Sequence, residues 1–277
     1  MTAASERPLI TIEPTTKWWH LDIQELWANR ELLKVLCERD IKVRYKQTVL
    51  GFAWALLQPL MMMIVFSVFF GHFAKIPSDG LPYPIFVYAG LLPWTFFSTA
   101  VTNSSQSLVN SSHVISKVYF PRLIVPFAVV GASLVDFFIA SCFLFVMMFY
   151  YGITLSGQLL LTPLFIACIT VSALGVGTFL SSLTVTYRDF RFVVPFLVQC
   201  WMFATPIAFP ISIVPEQWRW LVSLNPMTGL IGGFRSCFLG QPFDWPSVLI
   251  AFAASIGFFV VGVFYFKSVE RRFADIV

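Results

Sequence analysis

Asp136 is the residue whose chemical character differs most from its surroundings. It is the only charged side chain in the apolar run at 123–151. An unpaired charge is costly in an apolar medium, so this carboxylate needs a partner. Asp136 is therefore a candidate for a functional role, and a structural hydrogen bond to a neighbouring helix is an equally open alternative.

The sequence shows no residue pattern typical of a catalytic or metal site. Its three histidines, His20, His72 and His113, have no carboxylate or thiol at ligand spacing, and its five cysteines form no CxxC pair. The nearest match to a phosphate-binding P-loop, GITLSGQ at 152–158, lacks the required Lys and Ser/Thr. We therefore predict no catalytic residue, no metal and no cofactor on this chain.

The composition identifies the environment in which these side chains must be placed. Apolar residues make up 58% of the chain and charged residues 12%, whereas roughly 45–50% and about 25% are usual in soluble domains. The 31 Phe residues and a mean hydropathy of +0.80 leave too little polar surface for a soluble globule. The chain is predicted to be a membrane protein.

Six apolar runs are long enough to cross a bilayer core of about 30 Å, which takes about 20 helical residues. Backbone groups in lipid must be hydrogen-bonded within the protein, so each run is interpreted as a helix. A closed barrel is excluded because the runs are continuous and do not alternate. We predict an all-α, polytopic membrane protein with spans near 50–74, 84–102, 123–151, 158–182, 193–209 and 247–266.

The distribution of Lys and Arg predicts the orientation. Basic residues accumulate in short cytoplasmic loops. If the chain starts in the cytoplasm, fifteen of the 18 Lys and Arg residues lie on that side. The other side then holds Lys75, Arg219 and Arg235. Both termini are therefore predicted to be cytoplasmic.

The segments before the first span are predicted to have a different character. Residues 1–20 contain Glu and Pro but no apolar core, which favours a disordered lead over a secretory signal. The remainder, 21–277, is predicted to form one transmembrane domain. At 22–39, apolar residues recur at helical spacing with charges on the opposite face. This amphipathic helix is predicted to lie in the membrane interface or, alternatively, to pack on a partner protein.

The stretch between the fifth and sixth runs is apolar but contains six prolines within about 40 residues. Two helices are predicted, near 216–224 and 226–239, the second capped by Asn225 with Pro226 at its first position. Both are too short to span, which is typical of interfacial or re-entrant segments. Trp218, Trp220 and Trp245 are either interface anchors or a rim on which sugars stack.

Four motifs occur in an order and at a spacing that resemble a known family. They read RDIKVRYKQTVLGFAWALLQPL (39–60), GLLPWTFFS (90–98), YRDFR (187–191) and NPMTGLIGGFR (225–235). With these motifs placed among six spans, the chain resembles the permeases of ABC-2 polysaccharide exporters, which move O-antigen, capsule or teichoic acid. The resemblance covers about residues 22–272.

The resemblance implies a homodimer in the cell inner membrane, paired with two ATPase subunits that hold ATP and Mg. It implies a lipid-diphosphate-linked polysaccharide as substrate and no nucleic acid among the partners. It also implies an amphipathic interface helix, re-entrant helices and a cytoplasmic coupling helix, matched here at 22–39, 216–239 and 110–122. A permease for a small drug or lipid, an ion-driven carrier and a scaffold for an envelope synthase remain alternatives.

Two groups of residues are candidates for contact with the substrate. Basic residues are expected to receive the lipid diphosphate, and the resemblance implies that a lateral gate forms in the neighbourhood of the candidates Arg39, Lys42, Arg44 and Lys46. Alternatively, these four only anchor the chain on the cytoplasmic side. Aromatic faces with few fixed charges suit a hydroxyl-rich glycan, and the candidates for its path are Trp94, Phe96, Phe97, Trp201, Phe203 and Arg235. Each aromatic residue could instead pack on a helix or on lipid.

A third group is a candidate for contact with the ATPase. Its members are Val114, Ile115, Lys117, Val118, Tyr119, Phe120, Arg122, Tyr187, Arg188 and Asp189. The apolar residues of the 110–122 loop are predicted to be exposed, and an exposed apolar cluster is typical of a protein interface. The alternative is that this loop dips into the membrane surface.

Overall fold

The computed structural model describes residues 23–46, 51–115, 117 and 120–270. Every regular element in these ranges is helical, which confirms the predicted all-α fold. The predicted disordered lead, 1–20, lies outside the described residues. In chain order the helices are α1 (Ile23–Ala28), α2 (Arg30–Tyr45), α3 (Ala53–Phe66), α4 (Tyr83–Asn110), α5 (Ser112–Ile115), α6 (Ile124–Tyr150), α7 (Thr162–Thr186), α8 (Phe190–Phe203), α9 (Glu216–Ser223), α10 (Pro226–Leu239) and α11 (Trp245–Val269).

Five helices in the described part of the chain are long and apolar enough to cross a membrane. They are Ala53–Phe73, Tyr83–Asn110, Ile124–Tyr150, Gly157–Thr186 and Trp245–Val269. The first combines α3 with the π-helical segment Ser67–Phe73, and the fourth combines the 3-10 helix Gly157–Leu161 with α7. The second helix continues well beyond the end predicted at 102, because its last turns bury Ser and Leu side chains against neighbouring helices.

The predicted fifth span, 193–209, is not a single helix. α8 ends at Phe203 after 14 residues, which is a length of about 21 Å, short of a bilayer core of about 30 Å. The chain at 204–210 is irregular, since Pro206 and Pro210 cannot donate to a helical ladder and disfavour helix in the residues before them. Helix length therefore does not confirm a count of six spans.

α4 is the helix around which most of the others pack. It contacts α3, α6, α7, α8 and α10, and large side chains along it, including Phe86, Tyr88 and Phe97, are fully buried. The Tyr88 hydroxyl donates to the Ala140 carbonyl of α6 at 2.9 Å. Because α4 is enclosed by its own chain, other helices must supply the surface that meets lipid or partners.

α7 and α11 approach each other through small residues. A side chain at Gly262 would overlap the carbonyl of Gly175, and one at Gly175 would overlap the α11 backbone at Phe258. Ser172 donates a hydrogen bond to Ser255 across the same contact at 2.8 Å. Small residues allow this close approach of helices in membranes, where packing and hydrogen bonds drive association.

The bundle has two ends, which we name after the short helices found there. The α5 end holds α5, the start of α6 and the turn between α7 and α8, and the α9 end holds α9, α10 and the start of α11. An apolar cluster closes the α5 end and contains Leu36, Leu108, Phe120, Leu123, Ile124, Val125, Ala128, Val185, Val263 and Phe266. Leu36 belongs to α2, so α2 is part of the packed bundle.

The amphipathic segment predicted at 22–39 forms two helices, which are separated at Asn29 and continue to Tyr45. α2 packs along α6, where Gly131 leaves room for the nearby sulfur of Cys37. Its outer face remains exposed. The described part of this segment therefore lies against the chain's own α6, an arrangement that neither sequence-based alternative included.

In the described part of the loop predicted as a coupling helix at 110–122, the helical residues after the end of α4 are Ser112–Ile115. α4 extends to Asn110 and occupies the beginning of the predicted segment. Residues 116, 118 and 119 lie outside the described residues. The described part of this loop is therefore a short elbow between α4 and α6, with one helical turn.

Candidate functional site

Arg44 and Tyr45, at the end of α2, meet Asp136 in the middle of α6. Arg44 donates from Nη1 to one carboxylate oxygen of Asp136, and the Tyr45 hydroxyl donates to the other. The Arg44 and Asp136 side chains are 28% and 19% exposed. These three residues, here named the Asp136 cluster, connect two segments that are 92 residues apart in the sequence.

The cluster provides the partner that a carboxylate in an apolar helix requires. A charge at membrane depth is tolerated when it is paired and hydrogen-bonded. Burial, and then the hydrogen bond to Asp136, raise the pKa of Tyr45 well above its usual range, so its hydroxyl remains a donor. The sequence offered Arg44 and Asp136 separately, but Tyr45 was missed, and its adjacency to Arg44 was the available signal.

A cavity of about 210 Å³ adjoins the Asp136 cluster and lies between α2, α3, α4 and α6. Besides the cluster, its polar lining consists of Gln58, Thr95, Thr99, Asn103 and Ser133. The volume corresponds to about seven water molecules at about 30 Å³ each. The cavity could therefore hold a phosphate group or a sugar ring, but not a whole glycan chain.

The other three basic candidates have different surroundings. Arg39 pairs with its neighbour Asp40 at 2.8 Å, and Lys42 pairs with Glu38 of the same helix at 3.4 Å. Lys46 is exposed at the end of α2. The Lys42–Glu38 pair is exposed and contributes little to stability, whereas the Arg39–Asp40 pair is partly buried. Arg44 is thus the member of the group that forms an ion pair with a second helix, through Asp136 of α6.

The structure separates the aromatic path candidates into buried and exposed residues. Trp94, Phe96 and Phe97 of α4 are at most 3% exposed, and Phe96 also lines the cavity beside the Asp136 cluster. Trp201 packs edge-on against Phe97, with ring centroids 5.2 Å apart. Phe203, by contrast, is 65% exposed. The five residues therefore do not form one continuous surface within the chain.

Trp201 also belongs to a hydrogen-bond network that joins α8 to α10. Its indole donates to the Asn225 side-chain oxygen at 2.9 Å, and that oxygen accepts from the Met227 backbone N–H as well, which confirms the predicted cap of α10. The Asn225 amide donates to the Thr205 hydroxyl at 2.9 Å. This network fixes the point where α8 ends, and sequence reasoning missed it because it joins two segments that are about 20 residues apart.

Arg235, the remaining path candidate, is buried in α10. Its guanidinium donates to the carbonyls of Phe86, Pro206 and Ile207, and it lies over the Phe86 ring at 3.9 Å from the centroid. Each of its three nitrogen atoms therefore has a backbone carbonyl as partner. Arg235 fastens the irregular segment after α8 to the first turn of α4.

The ATPase-contact candidates of the short elbow are less exposed than predicted. Phe120 is 7% exposed and lies inside the apolar cluster of the α5 end, so the prediction that it is exposed is wrong. Arg122 donates from its side chain to the Glu270 carbonyl at 2.6 Å, at the end of α11. Ile115 is half-buried and Lys117 is exposed. Val118, Tyr119 and the side chain of Val114 lie outside the described residues.

The second set of these candidates lies in the turn between α7 and α8. Tyr187, Arg188 and Asp189 are all exposed there. A pocket of about 340 Å³ joins this turn to the elbow, because Arg188 and Arg191 line it together with Ser112 of α5. Two sequence segments that were separate candidates therefore meet in one surface at the α5 end.

Comparison with known proteins relates this arrangement to a family. The family model described as ABC-2 type transporter matches residues 31–239. The chain is 28% identical over 248 residues to the O-antigen export system permease protein RfbA of Klebsiella pneumoniae, which covers 89% of this chain and 95% of that protein. It is 29% identical over 257 residues to a protein of the same name from Myxococcus xanthus, with coverages of 91% and 98%.

A more distant relative is the polysialic acid transport protein KpsM of Escherichia coli. It is 24% identical over 210 residues, which cover 74% of this chain and 80% of that protein. The range matched by the family model begins in α2 and ends with α10. It therefore contains the Asp136 cluster, the α7–α8 turn and Arg235, and it spans well over half of the 277 residues. The chain belongs to the ABC-2 type transporter family.

Proposed function

We propose that this chain is the membrane permease subunit of an ABC transporter that exports a polysaccharide of the O-antigen type. The observation that carries this proposal is the extent of the similarity to two O-antigen export permeases. They cover 89% and 91% of this chain, and this chain covers 95% and 98% of them. A match over nearly the whole of both proteins favours a shared role over a shared fragment.

The proposed membrane arrangement has six crossings with both termini in the cytoplasm of a cell with an inner membrane. α8 and the irregular segment at 204–210 together form the fifth crossing, and α9 and α10 are re-entrant. The proposal that α10 is re-entrant is supported by its burial against α4, α7 and α11, although it is too short to span the membrane. The Lys and Arg distribution supports a cytoplasmic α5 end.

The proposed complex contains a second copy of this chain and two ATPase subunits that hold ATP and Mg. The first long helix, Ala53–Phe73, supports a partner within the membrane, because only 11% of its most apolar stretch of 18 residues is buried inside the chain. The pocket formed by Ser112, Arg188 and Arg191 supports ATPase contact at the α5 end. There, the elbow and the α7–α8 turn would receive the movement that ATP hydrolysis produces.

The proposed entry of the lipid diphosphate uses Arg44. A guanidinium binds phosphate through two parallel hydrogen bonds, and Arg44 is the basic candidate that lines the cavity beside Asp136. Asp136 holds Arg44 until a more highly charged diphosphate competes for it. The exchange would release the end of α2 from α6 and open a passage beside α3. Arg39, Lys42 and Lys46 would attract the headgroup from the surface.

Deletion of the gene tests the proposed function. We expect surface polysaccharide to be lost and lipid-linked glycan to accumulate inside the cell, with both effects reversed by the wild-type gene. The similarity to KpsM favours a second candidate, export of a different polysaccharide, and the chemical composition of the accumulated glycan separates the two. Unchanged surface and intracellular glycan after deletion would refute both and favour a permease for a small drug or lipid.

A further inference from the structure

A groove of about 530 Å³ lies along one face of α10 at the α9 end. Its floor is the α10 face, one wall is the segment from Pro206 to Ser212, and the other is the loop from Gly240 to Asp244. The volume is within the range of about 300–1,000 Å³ that is usual for ligand sites. Neither the proposed entry site nor the ATPase contacts include this groove.

The floor of the groove is open at one glycine. Gly229 and Gly233 also lie on this face, but side chains there would overlap Ser247 and Phe165. Gly232, in contrast, is exposed and has no heavy atom within 4 Å of the position where a Cβ would stand. The two buried glycines are explained by helix packing, whereas the absence of a side chain at Gly232 leaves the floor of the groove clear.

The charges in the groove favour a particular kind of ligand. Asp79 accepts from the Ser212 hydroxyl at 2.8 Å and Asp244 accepts from the Ser247 hydroxyl at 2.6 Å. A carboxylate has two oxygens and about four lone-pair positions, so each retains capacity to accept from a ligand. Among the described residues that line the groove, Arg235 is the only cation, and its three nitrogen atoms donate to backbone carbonyls. The groove therefore suits a ligand whose hydroxyl groups donate hydrogen bonds, and it disfavours an anion.

Other lining residues match the same ligand chemistry. Gln241 adds an amide, which both donates and accepts hydrogen bonds. Phe243 adds a planar apolar face, and the half-exposed Trp245 lies against it with ring centroids 5.1 Å apart. Hydroxyl groups on an apolar ring frame are characteristic of a sugar. A phosphate headgroup would find no free cation among the described lining residues, and a purely apolar molecule would leave the remaining acceptor positions of the two carboxylates unused.

We propose that this groove is a carbohydrate-binding subsite that holds part of the exported glycan at the α9 end. The proposal rests on the proposed function, because a glycan reaches this end only if the chain exports one. Carboxylates, amide and hydroxyls bind the sugar hydroxyls, the Phe243 face contacts the sugar ring, and Gly232 provides the space. Arg235 is a positioning residue that holds the Pro206 wall.

A bulky side chain at position 232 tests the subsite. In a strain without the chromosomal gene, Gly232→Trp should lower surface polysaccharide by about tenfold or more, because the indole occupies the space of the ligand. Lipid-linked glycan should accumulate inside. Gly232→Ala adds one methyl group and should stay within about twofold of wild type, since alanine favours helix over glycine and the groove remains open.

Gly257→Trp is the matched control. Gly257 is also an exposed helical glycine with no heavy atom within 4 Å of its Cβ position, but it lies on α11 outside the groove. This variant should export within about twofold of wild type, because tryptophan in an exposed helix position carries only a small helix-propensity difference. Normal export by Gly232→Trp would overturn the subsite. Failure of the wild-type gene to restore surface polysaccharide would instead refute the proposed function.

A second measurement keeps the test independent of folding. Cells that carry Gly232→Cys are first shown to export polysaccharide at the wild-type level. A bulky maleimide that cannot cross the membrane is then added from outside. Export should fall in this variant and continue in wild-type cells and in Gln217→Cys cells treated identically, because Gln217 is exposed on α9 and outside the groove. Labelling of Gly232→Cys with no fall in export would overturn the proposal.

Discussion

At the residue scale, the basic side chains of Arg44 and Arg235 are stabilised in different ways. Arg44 is paired with a carboxylate that a second helix supplies. Arg235 is surrounded by backbone carbonyls and an aromatic face. Arg44 could exchange its carboxylate partner for another anion. The partners of Arg235 are neutral carbonyl groups of the backbone, so no anion has to leave or to take their place. We therefore expect Arg44 to act in the transport cycle and Arg235 to hold the structure.

The first prediction concerns the Asp136 cluster. Removing either charge, by Arg44→Gln or Asp136→Asn, leaves the other without its partner and should destabilise the protein by about 1–3 kcal/mol. This loss of stability is smaller than the loss for a fully buried pair, because both side chains are partly exposed. The neutral double variant should regain most of this stability. Its export should nevertheless remain about tenfold below wild type, which corresponds to ~1.4 kcal/mol. Thermal unfolding in detergent and surface polysaccharide are measured together.

Lys42→Gln serves as the control for the loss of one basic residue from α2. Its ion pair is exposed and lies within one helix, so its stability should change by less than about 0.5 kcal/mol. A double variant that recovers both stability and export would show that the cluster is only structural. Arg44 would then have no part in binding the substrate.

The second prediction concerns Arg235. Arg235→Met leaves three carbonyls without their donor. Because each buried unsatisfied group costs about 1–3 kcal/mol, the free energy of unfolding should fall by about 3 kcal/mol or more. Arg219→Met is the matched control, since Arg219 also donates to backbone carbonyls, those of Val214 and Ser212, but is exposed. It should change stability by less than about 0.5 kcal/mol. Equal melting temperatures for the two variants would contradict this account.

At the scale of elements, short segments are positioned by their contacts with long helices. α2 packs along α6, which brings Arg44 to Asp136. α8 stops before prolines and is joined through Trp201 to the cap of α10. The elbow between α4 and α6 is secured by Phe120 in the apolar cluster and by Arg122 at the end of α11. The described part of the elbow is therefore packed as part of the bundle.

The third prediction separates the structural and the contact residues of the α5 end. Phe120→Ser removes a buried aromatic side chain and should destabilise the protein by about 3–5 kcal/mol. Tyr187→Ser changes an exposed side chain and should leave stability within about 0.5 kcal/mol, but should weaken co-purification of the ATPase or uncouple ATP hydrolysis from export. Melting temperature, co-purification and ATP hydrolysis in vesicles are the measurements.

Thr186→Ser is the control for a mild change next to the α7–α8 turn, because it retains a hydroxyl that can donate to Ser182, as Thr186 does at 3.0 Å. It should preserve stability, co-purification and export. Normal co-purification and normal coupling in Tyr187→Ser would remove this turn from the ATPase contact. The exposed Lys117 of the elbow would then be the next residue to change.

At the scale of the whole molecule, the bundle is enclosed around α4 and open along α3 and α8. The long helix Ala53–Phe73 exposes large apolar side chains along its length, including Ile64, Val65 and Phe69, and α8 exposes Phe192 and Phe196. In a membrane such faces meet lipid or another protein without the cost that water would impose. They are the surfaces on which a second copy of the chain is proposed to pack.

The fourth prediction tests the proposed orientation. An impermeant thiol reagent added to intact cells should label Ser78→Cys and Gln217→Cys, because both positions would be external. Ser112→Cys should be labelled only after lysis. The wild-type chain, with its five native cysteines, provides the background for each comparison. External labelling of Ser112→Cys would place the α5 end outside and reverse the proposed direction of transport.

The sequence by itself determined the features that depend on local composition. Continuous apolar runs require helices in lipid, so the all-α fold and the approximate positions of five long helices could be predicted. The cap of α10 was also predictable, because Asn225 followed by Pro226 acts through hydrogen bonds within one turn. The motif order was sufficient to suggest the family that the comparison then showed.

Tertiary structure decided which of these residues meet. Apolar side chains have the same hydropathy whether they face lipid or another helix, so the sequence could not distinguish buried Phe120 from exposed Phe203. The pairing of Arg44 with Asp136 joins positions 92 residues apart, and only the packing of α2 along α6 brings them together, because no local rule specifies contacts between distant segments.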